Sequence, residues 1–222
     1  MIVIAVVNTK GGVGKSTLTS ALAVRATREA KRVAIVDLDP QKSLDGWRIR
    51  RGGKDSDSPE IMRGVDSALE AVERAAMTGW DFLFLDGPPA FIETVQEMME
   101  AADLSVVPVK GSVVDVLATQ DVVAVARKLG AAFVCVFNDV TPPRNKKPDH
   151  YAQVARGFLF SHDIPVAKTQ ISHRISHVKG MNLGRSAAEV GDEAAETEID
   201  NLWLEIKQLA AAAKKAMEGA DV

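Results

Sequence analysis

Two lysines, Lys10 and Lys15, flank three glycines in the stretch NTKGGVGKST, residues 8–17. Glycine lets a backbone fold around phosphate oxygens with no side chain in the way. An apolar run, Ile2–Val7, precedes the loop and a helix-forming stretch beginning near Lys15 follows it. A strand, a glycine loop and a helix in that order aim backbone N–H groups and a helix N-terminus at an anion. Gly11, Gly12, Val13, Gly14 and Thr17 then form the cradle. Lys15 reaches the β- and γ-phosphates of a nucleotide, and the Ser16 hydroxyl is placed to bind Mg²⁺. Two carboxylates follow in VDLDPQ: Asp37 and Asp39 stand two apart, so in extended chain they point to the same side. A third, Asp86, ends the apolar run FLFL, the pattern of a buried strand delivering a carboxylate to a metal. Asn138 ends another apolar run, VCVF, and its amide offers a donor and an acceptor to a base edge.

The elements that must position these residues are legible as a rhythm. Short apolar runs at Ile2–Val7, Arg32–Asp37, Asp81–Asp86, Leu104–Val109, Ala132–Asn138 and Pro165–Thr169 read as strands buried on both faces. Helices are predicted at Lys15–Ala30, Val65–Met77, Phe91–Ala101, Val113–Leu129, Tyr151–Ser161 and Thr197–Met217. Their alternation predicts an α/β fold: a phosphate-loop domain with a mostly parallel, twisted sheet of about seven strands and helices on both faces. Arg48–Glu60 and Val140–Asp149 are polar and read as exposed loops. Nothing reads as a linker, so residues 1–222 are expected to form a single domain.

Composition narrows the function. The 222 residues are 26% charged and 46% hydrophobic, ordinary for a globular protein. The lone cysteine, Cys135, excludes an internal disulfide framework or thiolate cage and points to the cytoplasm. The apolar start lacks a basic region before it and reads as a strand, not a signal peptide. With a net charge of −3, any contact with nucleic acid must come from a local basic patch.

The phosphate loop departs from the general pattern G-x-x-x-x-G-K-S, because Thr9 occupies the place of its first glycine and Lys10 comes early. In this it resembles the deviant Walker A motif of the ParA/MinD family of ATPases, and DLDPQ and FLFLDGPP resemble that family's switch I and Walker B with switch II. The resemblance implies an ATP hydrolase that forms a homodimer around two sandwiched ATP molecules. Lys10 would cross to the partner's nucleotide, Lys15 serve its own, and Asp39 orient or activate the attacking water. Asp37, Asp86 and Ser16 would stand around Mg²⁺, and Asn138 would contact adenine. It further implies weak hydrolysis in the isolated protein, raised by a ParB-like or cargo-adaptor partner.

Two output surfaces are weighed. The stretch KTQISHRISHVKGMNLGRSAAE gathers Arg174, Lys179 and Arg185 with a single acid at its end. It resembles the family segment that contacts DNA phosphates non-specifically, which needs cations and no base reader. That predicts a nucleoid-associated protein when ATP is bound. The alternative is a MinD-like membrane-associated ATPase, whose terminal helix would be cationic with bulky apolar residues. Here Ile199, Leu202, Trp203, Ile206, Leu209, Ala210, Ala213 and Met217 recur at helical spacing, but the chain ends AAAAKKAMEGADV. A helix covering its own sheet is the favoured reading. Reductases bridging an iron–sulfur cluster need more cysteines, and bacterial tyrosine kinases more tyrosines than Tyr151. A small-molecule ligase of related fold stays as a distant alternative without a recognisable substrate pocket.

Overall fold

Strand residues alternate between two apolar layers, which is why the strands read as unbroken apolar runs. In β1 (Ile2–Val6), Val3 and Ala5 enter one core cluster while Ile4 and Val6 enter the other. The computed structural model describes residues 1–29, 31–52, 59–89, 92–142 and 149–220. Its other strands are β2 (Val33–Asp37), β3 (Glu60–Ile61), β4 (Phe82–Asp86), β5 (Leu104–Val109), β6 (Phe133–Val140) and β7 (Ile171–Ser172). They form a seven-stranded sheet, all pairs parallel, in the order β3-β2-β4-β1-β5-β6-β7. The expected α/β fold is the observed one.

The chain leaves β1 through helix α1 (Lys15–Thr27) toward β2 on one side, and later returns to β5 on the other. Such a reversal opens a crevice at the carboxyl ends of the strands, where ligands bind in open α/β sheets. One face of the sheet is covered by α1, α2 (Ser43–Arg51) and α9 (Glu193–Ala220). The other carries α3 (Ala68–Ala76), α4 (Ile92–Ala101), α6 (Gln120–Leu129) and α7 (His150–Ser161). The short α5 (Val113–Leu117) sits beside α7. In α9, Ile199, Leu202, Trp203, Ile206 and Ala210 are buried, and Trp203 meets Phe82 edge-on at 4.9 Å. Burying such side chains contributes about 1.5–3 kcal/mol each, so this helix seals the sheet.

Several boundaries differ from expectation. The stretch Val113–Leu129 is two helices, because the Thr119 hydroxyl bonds the Val116 carbonyl and the chain turns there. Arg48–Arg51 belong to α2 rather than to a loop, and Glu60–Ile61 pair at the sheet edge. The remainder of the expected loop, residues 53–58, lies outside the described residues, as do residues 143–148 of the second one and the start of the helix expected at Phe91. The last strand is Ile171–Ser172, whereas Val166 makes only an isolated bridge to Cys135.

The basic stretch after β7 is helix α8 (Ile175–Leu183), locked onto α2 through Gly184. Gly184 has φ +68°, and a Cβ there would fall 2.0 Å from the Arg51 backbone nitrogen. Gly184→Ala should therefore cost about 2–4 kcal/mol in urea denaturation, combining left-handed strain and overpacking. Gly157→Ala, in α7 with open space around it, should instead raise stability by about 0.5–1 kcal/mol.

Candidate functional site

The glycine loop is held by two side-chain amides, one at its own start and one from β6. Asn8 is fully buried; its Nδ2 donates to Pro108 O at 2.9 Å and its Oδ1 accepts from Lys10 N at 2.9 Å. At the other end, Asn138 Nδ2 donates to Val13 O at 2.7 Å. Gly14 has φ 85° at the helix N-cap, and a Cβ on it would lie 2.4 Å from Asn138 Nδ2, so glycine is required twice over. The Lys15 side chain folds back over the loop, Nζ donating to Lys10 O at 3.2 Å. Burial draws its ammonium below the ordinary lysine range, against the opposing pull of Asp86 and Asp39.

Sheet register assembles the acidic end. Val6 pairs with Asp86 and Asp37 with Asp86, so the strand ends that carry the loop and two carboxylates lie side by side. Asp86 is completely buried. Thr19 Oγ1 donates to its Oδ1 at 2.8 Å, and its Oδ2 has no protein partner. Burial pushes its pKa up to about 7, with the Ser16 and Thr19 hydroxyls and Lys15 pulling down and Asp37 pushing up. A buried carboxylate with an idle oxygen beside a serine hydroxyl fits a divalent cation. Among the described residues no cluster of three or more His, Cys, Asp or Glu could hold a metal alone.

Asp37 stands next to this point but is already committed. Its Oδ1 accepts from Asp39 N at 3.0 Å and its Oδ2 from Leu44 N at 2.8 Å, fixing the switch loop to the start of α2. Asp39 is buried, with Oδ1 accepting from Gln41 N at 2.8 Å. A cavity of about 500 Å³ is lined by Gly12, Gly14, Ser16, Thr17 and Asp39 together with Asn138, Ile171, His173, His177, Val178 and Met181. That volume suits a drug-sized or cofactor-sized ligand.

The remaining sequence-predicted residues separate. Lys10 is on the rim, its ammonium paired with Asp115 at the start of α5. Burial alone would raise the Asp115 carboxyl, but hydrogen bonds from Lys10 and Ser112 outweigh it and hold the carboxyl low. Arg174 lines the cavity and is bound to Glu198 at 2.9 Å, with Asp192 at 3.8 Å. Lys179 and Arg185 are exposed and share a shallow surface depression with Arg50 and Leu183. Sequence reasoning missed Asn8, Thr19 and Asp115. The Ser112-x-x-Asp115 capping pattern was the one readable signal among them.

Residues 4–202 match the family model described as the CobQ/CobB/MinD/ParA nucleotide binding domain. Maintenance of carboxysome distribution protein A of Halothiobacillus neapolitanus is 27% identical over 215 residues, spanning 91% of this chain and 95% of that protein. The chromosome-partitioning ATPase Soj of Thermus thermophilus is 32% identical over 136 residues, 48% of this chain and 54% of its own. Among solved structures, apo McdA of Cyanothece superposes with a TM-score of 0.74 at 16% identity, covering 94% of this chain and 99% of that one. MinD with Mg-ADP from Pyrococcus horikoshii gives 0.70 at 19%, covering 96% and 98%. These two structures speak to the fold alone.

The geometry of Asn138 makes a prediction about its role. Asn138→Asp keeps the shape but faces a carboxylate to the Val13 carbonyl, so it should destabilise more than Asn138→Ala, itself costing about 1–2 kcal/mol. If the amide serves the loop, Asn138→Ala weakens binding of ATP and of inorganic tripolyphosphate alike. A loss confined to ATP, measured by calorimetry, would return Asn138 to base reading.

Proposed function

The chain belongs to the CobQ/CobB/MinD/ParA family of nucleotide-binding domains, and from that premise we propose a ParA-like ATPase that binds Mg-ATP, dimerises around it and holds DNA non-specifically. The observation that carries this reading is the division of labour between the two loop lysines. Lys15 is folded into the cradle, while Lys10 stands on the rim with its side chain 39% exposed. A rim cation of this kind is available to a second copy's nucleotide, as an arginine finger is elsewhere.

In this reading Lys15 and the loop N–H groups take the phosphate charge. Ser16 and Asp86, with Asp37 behind them, hold Mg²⁺, which when bound neutralises charge on the phosphates. Asp39 orients the attacking water by hydrogen bonding rather than as a strong base. Hydrolysis is slow until Lys10 and the switch residues are assembled across the dimer. The Lys10–Asp115 pair is partly exposed, and such pairs are worth about 0–1 kcal/mol, so releasing Lys10 costs little.

The output surface is the outward side of α8. Lys179 and Arg185, with Arg50 of α2, offer about three cations per subunit, whereas Arg174 is occupied by Glu198. A dimer then makes about six phosphate contacts, giving a log–log salt slope near −5. The same helix lines the nucleotide cavity with His177, Val178 and Met181. Trp47 Nε1 donates to Arg185 O at 3.2 Å, tying this surface to the helix that starts just after Asp39. The related proteins are named for chromosome partitioning and for carboxysome distribution. A cargo of DNA or a protein body, joined through a ParB-like adaptor that stimulates hydrolysis, follows by analogy.

Co-sedimentation with DNA and with liposomes, in ATP, ADP and no nucleotide, tests the proposal. ATP-dependent, salt-sensitive DNA binding is expected; liposome binding instead favours a membrane-positioning ATPase, and neither favours a soluble ligase. Lys15→Ala should abolish nucleotide binding. Lys10→Ala should retain binding and lose the dimer in analytical ultracentrifugation, whereas Asp115→Ala should shift dimerisation to lower protein concentration. Asp39→Ala should accumulate an ATP-bound dimer.

A further inference from the structure

Thr19 stands one helical turn beyond Lys15 on α1 and is completely buried, although its side chain is polar. A threonine inside a helix ordinarily satisfies its hydroxyl on the carbonyl four residues back, and Thr19 Oγ1 does lie 3.0 Å from Lys15 O. It lies closer, at 2.8 Å, to Oδ1 of Asp86 at the end of β4. A hydroxyl has one proton to give, and the shorter contact is the one to Asp86. The bond back to Lys15 O would suffice for the helix, so the reach across to β4 serves the carboxylate.

Asp86 needs such a partner. Pairing of β4 with β1 and β2 fixes its backbone beside Val6 and Asp37, but strand pairing does not set the rotation of a side chain about its own bonds. A hydrogen bond to one carboxylate oxygen fixes that rotation and so gives the other oxygen one direction. That other oxygen, Oδ2, is buried and has no protein partner. Carboxylates that ligate a metal are themselves held by hydrogen bonds, which orient them and sharpen metal affinity. The orienting hydroxyl belongs to the helix that carries Lys15 and Ser16 in its first turn, so the phosphate cradle and the buried carboxylate are tied together by one side chain. We propose that Thr19 is the positioning residue for the divalent cation: its hydroxyl holds Oδ1 of Asp86 and thereby leaves Oδ2 for Mg²⁺ beside Ser16. The inference rests on Mg-ATP binding as proposed above and adds a residue outside both the glycine loop and the strand-end carboxylates.

ATP affinity measured by calorimetry, once with Mg²⁺ and once with EDTA, separates this role from packing. Wild type should bind ATP more tightly with Mg²⁺ than with EDTA. Thr19→Val keeps the shape and removes the hydroxyl. It should lose about tenfold in affinity with Mg²⁺, the low end of what a lost outer hydrogen bond costs a metal site, and change by less than about twofold with EDTA. Thr19→Ser, which returns the hydroxyl without the methyl group, should regain the response to Mg²⁺. Thr19→Ala removes the hydroxyl in a residue that favours the helix, and supplies the same comparison if the valine variant does not fold. Equal losses in Mg²⁺ and EDTA mark a packing role and overturn the assignment, as does a hydroxyl-free variant with the full response to Mg²⁺. A wild type that binds ATP equally in both conditions removes the metal reading and this inference with it, while leaving nucleotide binding intact. A wild type that binds no ATP removes the nucleotide reading itself.

Discussion

The glycine loop can receive an anion only while two buried amides keep it from collapsing. A free glycine-rich segment has much conformational entropy to lose on being ordered. Asn8 ties the start of the loop to the β5 carbonyl of Pro108, and Asn138 ties the Val13 carbonyl to β6. Both anchors come from strands flanking the loop on one side, so the cradle inherits the rigidity of the sheet. Gly14 is the counterpart of this arrangement, since any larger residue would displace the very amide that holds the loop.

The carboxylates show the same economy, with each given a different share of structural work. Asp37 spends both oxygens on backbone N–H groups and so fixes the path from β2 into α2. Asp86 spends one on Thr19 and leaves the other idle in a fully buried position. A buried, half-satisfied carboxylate is costly to a fold. Asp86 is therefore a liability to the fold, whereas Asp37 supports it.

The fold and the core of the site were legible because each depends on short-range patterns. Apolar runs fix the buried strands, and glycine–lysine–serine between a strand and a helix fixes the cradle. What stayed hidden depends on contacts distant in sequence. The last turn of α2, Arg48–Arg51, reads as a polar loop because the helix is held by Asp37 at its start and by Gly184, far along the chain, at its end. Asn138 reads as a base reader until its partner, the Val13 carbonyl, is known. Arg174 reads as a surface cation because Glu198, which occupies it, lies twenty-four residues on. The short edge strands β3 and β7 carry only two residues each, too few for any periodicity.

How firmly each cation is held separates those that stay from those free to move. Arg51 is clamped by Glu189 at 2.7 Å, lies over the Trp47 ring and bonds Gly184 O, which makes it a strut between α2 and the end of α8. Arg174 is likewise held within the protein by Glu198. Lys10 is paired with Asp115 among the described residues, at a half-exposed position where pairing is weakly favourable and salt-screened. A strut must not exchange partners, whereas a half-exposed pair parts at little cost. The difference in burial separates the struts at Arg51 and Arg174 from the half-exposed ammonium of Lys10.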